Sequence, residues 1–279
     1  MSTTTAILFP GQGSQTPEMR DLVARVRPEL LELAVSVVGE DPFPRANDGT
    51  NFAQPAIFCA SLAGWEALGR PSGDMMAGHS LGELGALVAA GALAEREGLE
   101  LVALRGRLME ESGRDAGDGG MIAVLGAGAS DRAPEIAEAH DLTVANDNSP
   151  LQVVISGPTS RLPAALEHAK ELGLRAMELD VTGAFHSPMM AAAVPEFERA
   201  LAQTTFSAPR VTVVSAVTAQ PFTDPRRELA DALTMPVRWR ETMLTLHERG
   251  AERFVDVGPG RVLTGLAKRT LTGVELVNA

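Results

Sequence analysis

The tightest constraint on this chain is the stretch Gly78-His79-Ser80-Leu81-Gly82, which follows the apolar run Met75-Met76-Ala77 and precedes Leu84, Leu87 and Val88 at helical spacing. Strand, glycine turn and helix in that order form the architecture of a nucleophile elbow. The glycines let the backbone pass through a strained turn, so that a serine hydroxyl projects beyond a sheet beside the free amides of a helix N-terminus. Ser80 is thereby a candidate nucleophile. The same five residues serve equally well as a glycine turn whose serine caps the helix, and other residues must decide between the two.

Thr5 to Phe9 reads as a buried strand running into Pro10-Gly11-Gln12-Gly13-Ser14-Gln15, and Phe254 to Val257 as another running into Gly258-Pro259-Gly260 and a helical stretch. Helical segments lie between these strands, which predicts an α/β sheet with its functional loops at the strand carboxyl ends. After the turn-rich Ser112 to Gly120 the pattern changes to strand (Met121 to Leu125), helix (Asp131 to His140), strand (Leu142 to Ala145), strand (Val153 to Ser156), helix, and strand (Leu174 to Val181). In the second of those helices Leu162, Leu166, Ala169 and Leu172 share one face before Gly173. The βαββαβ order predicts a small ferredoxin-like subdomain over 119–187, inserted into a core domain of 1–118 and 188–279.

A chain of 279 residues, 45% of them hydrophobic, can bury a full core. With 24 basic and 36 acidic residues the net charge is −12, which argues against a nucleic-acid-binding surface and leaves no polybasic membrane patch. An acidic partner would need a local basic region; Arg238, Arg240, Arg261, Lys268 and Arg269 offer one, or are scattered surface charge. The sole cysteine, Cys59, sits in Ala56-Ile57-Phe58-Cys59-Ala60 and reads as a small apolar side chain in a reducing compartment. No basic stretch precedes an apolar segment at the N-terminus, and the run Leu84 to Ala94 is too short to span a bilayer. The expectation is a soluble cytoplasmic protein.

A serine nucleophile needs a base. His140, His168 and His247 stand among charged neighbours and read as solvated, and His79, adjoining the serine, reads as structural. His186 remains, in Gly183-Ala184-Phe185-His186-Ser187-Pro188, with Ser187 placed to cap the following helix and Pro188 to occupy its first turn. The positive end of that helix disfavours imidazolium and holds His186 neutral, able to take a proton from Ser80. The competing reading is a histidine packed near a helix start.

Arg105 falls at the centre of the apolar stripe Leu101, Val102, Leu108 and Met109, and a guanidinium on a buried face requires an anion. Either it pairs internally with a carboxylate such as Glu83, or its fork of donors awaits a carboxylate on the substrate. The loop Gly11-Gln12-Gly13 lacks the lysine and hydroxyl of a phosphate-binding motif. Donor amides facing an oxyanion suit it better, with the backbone N–H groups of Gln12 and Leu81 as the pair, each such donor contributing about 3 kcal/mol to lowering the barrier. No metal-ligand spacing is present.

The blocks Phe9-Pro10-Gly11-Gln12-Gly13-Ser14-Gln15, Gly78-His79-Ser80-Leu81-Gly82-Glu83, Leu104-Arg105-Gly106-Arg107-Leu108-Met109, Gly183-Ala184-Phe185-His186-Ser187 and Val255-Asp256-Val257-Gly258-Pro259-Gly260 together resemble the malonyl-CoA:acyl carrier protein transacylase family, in its order and over nearly the whole chain. The resemblance implies an α/β-hydrolase-like core with a ferredoxin-like insert. It implies that Ser80 carries the acyl group, His186 is its base, Arg105 binds the malonyl carboxylate, and the Gln12 and Leu81 amides form the oxyanion hole. Gln54, Asn146 and Asn148 match positions lining the family's cleft, and Leu81 and Phe185 match its malonyl-selective pattern, the ring of Phe185 crowding a branch at the α-carbon. Malonyl-CoA and an acyl carrier protein bearing phosphopantetheine are the implied partners, with no nucleic acid, membrane, metal or redox cofactor. In the family a backbone carbonyl ahead of a Pro-Val-x-Trp stretch, here Pro236-Val237-Arg238-Trp239, commonly orients the histidine. This chain has Ala232 where many members have glutamine, which leaves the orienting group open. The implied pathway is fatty acid synthesis, or alternatively polyketide synthesis, with a serine thioesterase or esterase as the more distant reading.

Overall fold

The computed structural model describes residues 3–71, 73–115, 117–181 and 183–279. Its strands in chain order are β1 Thr5–Phe9, β2 Met75–Gly78, β3 Gly119–Leu125, β4 Thr143–Ser149, β5 Gln152–Pro158, β6 Arg175–Glu178, β7 Thr212–Val214, β8 Arg253–Asp256 and β9 Glu275–Asn278. β1 runs through the centre of a five-stranded sheet of order β7-β2-β1-β8-β9, parallel at every pairing. Strands buried on both faces are continuously apolar, and the side-chain period of two divides them between two cores. Ile7, Phe9, Met76, Val213 and Val255 face the core that includes the helices Thr50–Ala67 and Glu95–Asp115. Ala6, Leu8, Met75, Ala77, Val214 and Phe254 face the helices Trp239–Glu248 and Val262–Thr270.

Helix Thr50–Ala67 is buried on nearly every side from Phe52 to Gly64, and its small residues allow the neighbouring helix Glu95–Asp115 to pack closely. Cys59 lies within it, fully buried and without a disulfide. Burial pushes its thiol well above the ordinary range, so the residue acts as an apolar filler.

The second sheet has the order β4-β5-β3-β6, antiparallel throughout, as in a ferredoxin-like fold. Ile122, Val124, Val153 and Ile155 pack on the helices Ala129–Ala139 and Leu162–Glu171. Residues of the opposite face, Met121, Ala145 and Val154, join the large core instead. The architecture is therefore an α/β-hydrolase-like core carrying a ferredoxin-like antiparallel sheet. β4 is longer than the sequence pattern indicates, so Asn146 and Asn148 lie on a strand, with register shifts between Val144 and Asn146 and between Asp147 and Ser149. Val237 stitches this strand to the core: its amide donates to the Ala145 carbonyl at 2.8 Å, and its carbonyl accepts from the Asp147 amide at 2.9 Å. Arg240 adds an ion pair to Asp147 at 2.7 Å across the same seam.

Two sequence expectations change here. His140 and His168 are half-buried and face each other, with Nε2 and Nδ1 3.2 Å apart, because the ends of the two small-sheet helices converge. His247 is exposed as expected. The basic region also shrinks: Arg238 pairs with Glu241 and Arg240 with Asp147, leaving Arg261, Lys268 and Arg269 exposed along helix Val262–Thr270 and its start. Among the described residues no helix is long and apolar enough to cross a membrane.

Candidate active site

Ser80 sits between the end of β2 and the helix Gly82–Ala89, in the left-handed region at φ +54°. A non-glycine residue held there is strained by about 1–3 kcal/mol, and such strain persists where the surroundings over-determine it. The glycines permit close approach. A Cβ on Gly78 would lie 1.9 Å from the Gly82 carbonyl carbon, and one on Gly82 would lie 2.1 Å from the Phe9 carbonyl oxygen. Gly78→Ala is accordingly expected to destabilise the fold by on the order of 3 kcal/mol. Chemical denaturation measures this, and an unchanged midpoint would mean that the elbow opens without cost.

His186 lies between the small sheet and the turn Pro188–Ala193, 4% exposed and also left-handed at φ +57°. Ser187 fixes the exit of this segment, its Oγ accepting from the Met189 amide and donating to the Ala184 carbonyl. His186 Nε2 is 2.9 Å from Ser80 Oγ, and Nδ1 is 2.8 Å from the Ala232 carbonyl oxygen. A carbonyl can only accept, so Nδ1 carries the hydrogen and Nε2 presents its lone pair to the serine hydroxyl. The orienting group is thus the main chain of Ala232, at the C-cap of helix Pro225–Asp231, where carbonyls lack intrahelical donors. Its methyl side chain takes no part, which is why alanine can stand where other residues occur. Burial first, then the Arg105 and His79 charges, push the His186 imidazole down to about 3, so it is neutral at physiological pH.

Arg105 is 3% exposed on helix Glu95–Asp115. It donates to Gln54 Oε1 at 2.9 Å and to Ser80 Oγ at 3.0 Å. Burial lowers its affinity for the proton to a pKa of about 10, which still leaves it fully charged at neutral pH. The internal partner considered from sequence is elsewhere: Glu83 accepts the Ala216 amide at 2.7 Å, and among the described residues no carboxylate forms an ion pair with Arg105. Gln54, buried in helix Thr50–Ala67, holds one arm of the guanidinium while its own amide nitrogen lies 3.3 Å from the Met109 sulfur.

These groups converge on a cavity of about 480 Å³ that Gln12, Gln54, Ser80, Leu81, Arg105, Asn146, Asn148, Phe185 and His186 all line. Among the described residues the backbone amides of Gln12 and Leu81 donate to no protein acceptor. The loop carrying Gln12 is braced by Ser14 Oγ on the Gly11 carbonyl and by the Gly13 amide on Gln15 Oε1. Asn148 accepts from His79 Nε2 at 2.8 Å, and His79 meets the edge of Trp239 with ring centroids 5.3 Å apart. His79 therefore braces the small sheet while lining the cavity. Sequence reasoning missed the far wall, made by Met121, Val154, Leu179, Val262, Leu263 and Leu266. Apolar residues from distant segments carry no signal of a shared wall.

A model of the acyl transferase domain matches residues 7–278. The polyketide biosynthesis protein ThaF of Burkholderia thailandensis is 40% identical over 95% of this chain, which spans only 24% of that relative's length. The polyketide biosynthesis malonyl CoA-acyl carrier protein transacylase PksC of Bacillus subtilis is 37% identical over 96% of this chain and 97% of its own. The crystal structure of FabD from Acinetobacter baumannii superposes with a TM-score of 0.91 at 34% identity, covering 100% of this chain and 94% of that one. A match over almost every residue, with a relative covered over almost its whole length, establishes descent as well as fold: the chain belongs to the acyl transferase domain family and, within it, to the malonyl CoA-acyl carrier protein transacylases.

Proposed function

We propose that this protein is an acyltransferase that moves a malonyl group from malonyl-CoA to the phosphopantetheine thiol of an acyl carrier protein, through a malonyl ester on Ser80. The observation that carries this reading is the placement of Ser80 Oγ between His186 Nε2 and the guanidinium of Arg105, which forms no ion pair with a carboxylate among the described residues. A hydrolase of simple esters has no use for a buried cation at the nucleophile, whereas an acyl group bearing its own carboxylate does.

The carboxylate binds Arg105, and the thioester carbonyl enters the pocket of the Gln12 and Leu81 amides. His186 takes the hydroxyl proton as Ser80 Oγ bonds to the carbonyl carbon, and the negative charge forming on the carbonyl oxygen is stabilised by the two amides. The C–S bond breaks and the CoA sulfur receives the proton from His186. In the second half-reaction the carrier thiol loses its proton to His186, attacks the ester carbon and expels Ser80 Oγ, which regains the proton. No step requires a metal or redox cofactor. Gln54 orients Arg105, Asn148 and Asn146 shape the cleft, and Phe185 disfavours an α-branched acyl group by about 1–3 kcal/mol. Residues 119–187 act as one subdomain closing over the core formed by 1–118 and 188–279, and the protein works in the cytoplasm.

The product supplies fatty acid synthesis. A second reading, supply of polyketide synthase carrier domains, is favoured by the names of ThaF and PksC. Incubating the protein with malonyl-CoA and holo carrier proteins of each pathway tests both. Transfer to a carrier supports the acyltransferase and the preferred carrier selects the pathway, while release of free malonate alone would refute it in favour of a hydrolase.

A further inference from the structure

Glu83 is a buried carboxyl beside the site that the transfer steps leave idle. It stands in the first turn of helix Gly82–Ala89, 1% exposed, with Oε1 accepting the Ala216 amide at 2.7 Å. The Ala216 carbonyl in turn accepts from the Arg238 amide at 2.7 Å, next to the residue that stitches β4 to the core. Among the described residues no cation lies within the 4.0 Å of an ion pair with Glu83, since Arg105 directs its donors to Gln54 and Ser80. The charged groups facing it are Arg105 from helix Glu95–Asp115 and Glu228 from helix Pro225–Asp231, with the Ser215 hydroxyl from the loop after β7. Burial, with a smaller push from Glu228, raises the Glu83 carboxyl to about 8 against the opposing pull of the Ala216 amide, Arg105 and Ser215.

We propose that Glu83 is a positioning residue acting through Arg105: as a neutral acid it anchors the loop after β7 while leaving the guanidinium free of an internal counter-charge. The proposal rests on the reading of Arg105 as the receptor for the acyl carboxylate. An ionised carboxyl at this place would draw on the Arg105 charge that the substrate needs. It would also oppose the positive end of the helix whose first amides face the oxyanion. A carboxylic acid keeps the hydrogen bond to Ala216 and avoids both effects.

The test is the ratio of kcat/KM for malonyl-CoA to that for acetyl-CoA, with one carrier acceptor, between pH 7 and pH 9. Titrations of His186 and of the carrier thiol act on both donors and cancel. In the native protein the ratio is expected to fall at least about fivefold across this range, the lower end of ordinary coupling between sites. In Glu83→Gln, which retains an oxygen acceptor for Ala216 and cannot ionise, the ratio is expected to stay flat. A flat native profile, or an equal fall in the variant, overturns the proposal. Carbon NMR of glutamate-labelled native protein gives a reading independent of the variant's folding: a carboxyl resonance titrating near pH 8 is expected, and its absence is equally fatal. The underlying reading fails separately, because Arg105→Ala with an unchanged malonyl preference at pH 7 would defeat it, whereas a lost preference beside a flat native profile defeats only the role of Glu83.

Discussion

Ser80→Ala mixed with malonyl-CoA retains its unmodified mass, while the native protein gains one malonyl group. The reason is local. Oγ is the atom that His186 Nε2 contacts at 2.9 Å, and the neighbouring hydroxyls of Ser14 and Ser187 are occupied by the Gly11 and Ala184 carbonyls. Without Oγ the amide pocket and the guanidinium still bind the donor, but no bond can form. A transfer rate lower by about 10⁴- to 10⁶-fold is expected, the scale seen when a nucleophile is removed from a cooperating set. His186→Ala should lose nearly as much, and the double variant little more, because the two act as a unit. An intact-mass adduct surviving in Ser80→Ala would place the ester elsewhere and end the mechanism.

Arg105→Ala should invert the donor preference. Removing one member of a buried charge-assisted contact typically costs about 2–5 kcal/mol, so kcat/KM for malonyl-CoA should drop by roughly 30- to 4,000-fold. Acetyl-CoA brings no carboxylate and should change by less than about tenfold, an effect of leaving the Gln54 oxygen unpaired and freeing Ser80 from one donor. Arg105→Lys should recover only part of the malonyl rate. A single ammonium cannot hold Gln54, approach Ser80 and bind a carboxylate with the geometry of a planar fork. Equal losses for both donors in Arg105→Ala would show that the guanidinium supports Ser80 alone, and the assignment of malonyl as the acyl group would fall with it.

How much of this site the chain discloses by itself follows from how local each feature is. The elbow is legible because strand, glycine turn and helix are adjacent in sequence, and Gly78 is demanded by an approach within that same turn, although Gly82 is demanded by the neighbouring end of β1. Arg105 is legible because a cation in an apolar helical stripe contradicts its surroundings. His186 is legible through its neighbours Ser187 and Pro188, which announce a helical start, and through the resemblance that aligns it. The Ala232 carbonyl is not: every residue has a carbonyl, and only the packing of helix Pro225–Asp231 against the His186 segment makes this one the acceptor. The His140–His168 contact is hidden for the same reason, since both residues sit among charges that suggest solvent until two helices meet. Val237 illustrates the point from the other side, an ordinary apolar residue whose backbone joins β4 of the small sheet to the core.

The sequence alone determined the kind of chemistry, because the types of side chain and their immediate backbone settings are covalently encoded: a serine in a glycine turn after a strand, a neutral imidazole before a helix, a cation among apolar neighbours. Tertiary structure alone decided that these groups meet, that Glu83 bonds the Ala216 amide instead of forming an ion pair with Arg105, and which carbonyl holds the histidine. Such distances depend on how two sheets and their helices pack, and packing is a property of the whole core that no short stretch of chain contains.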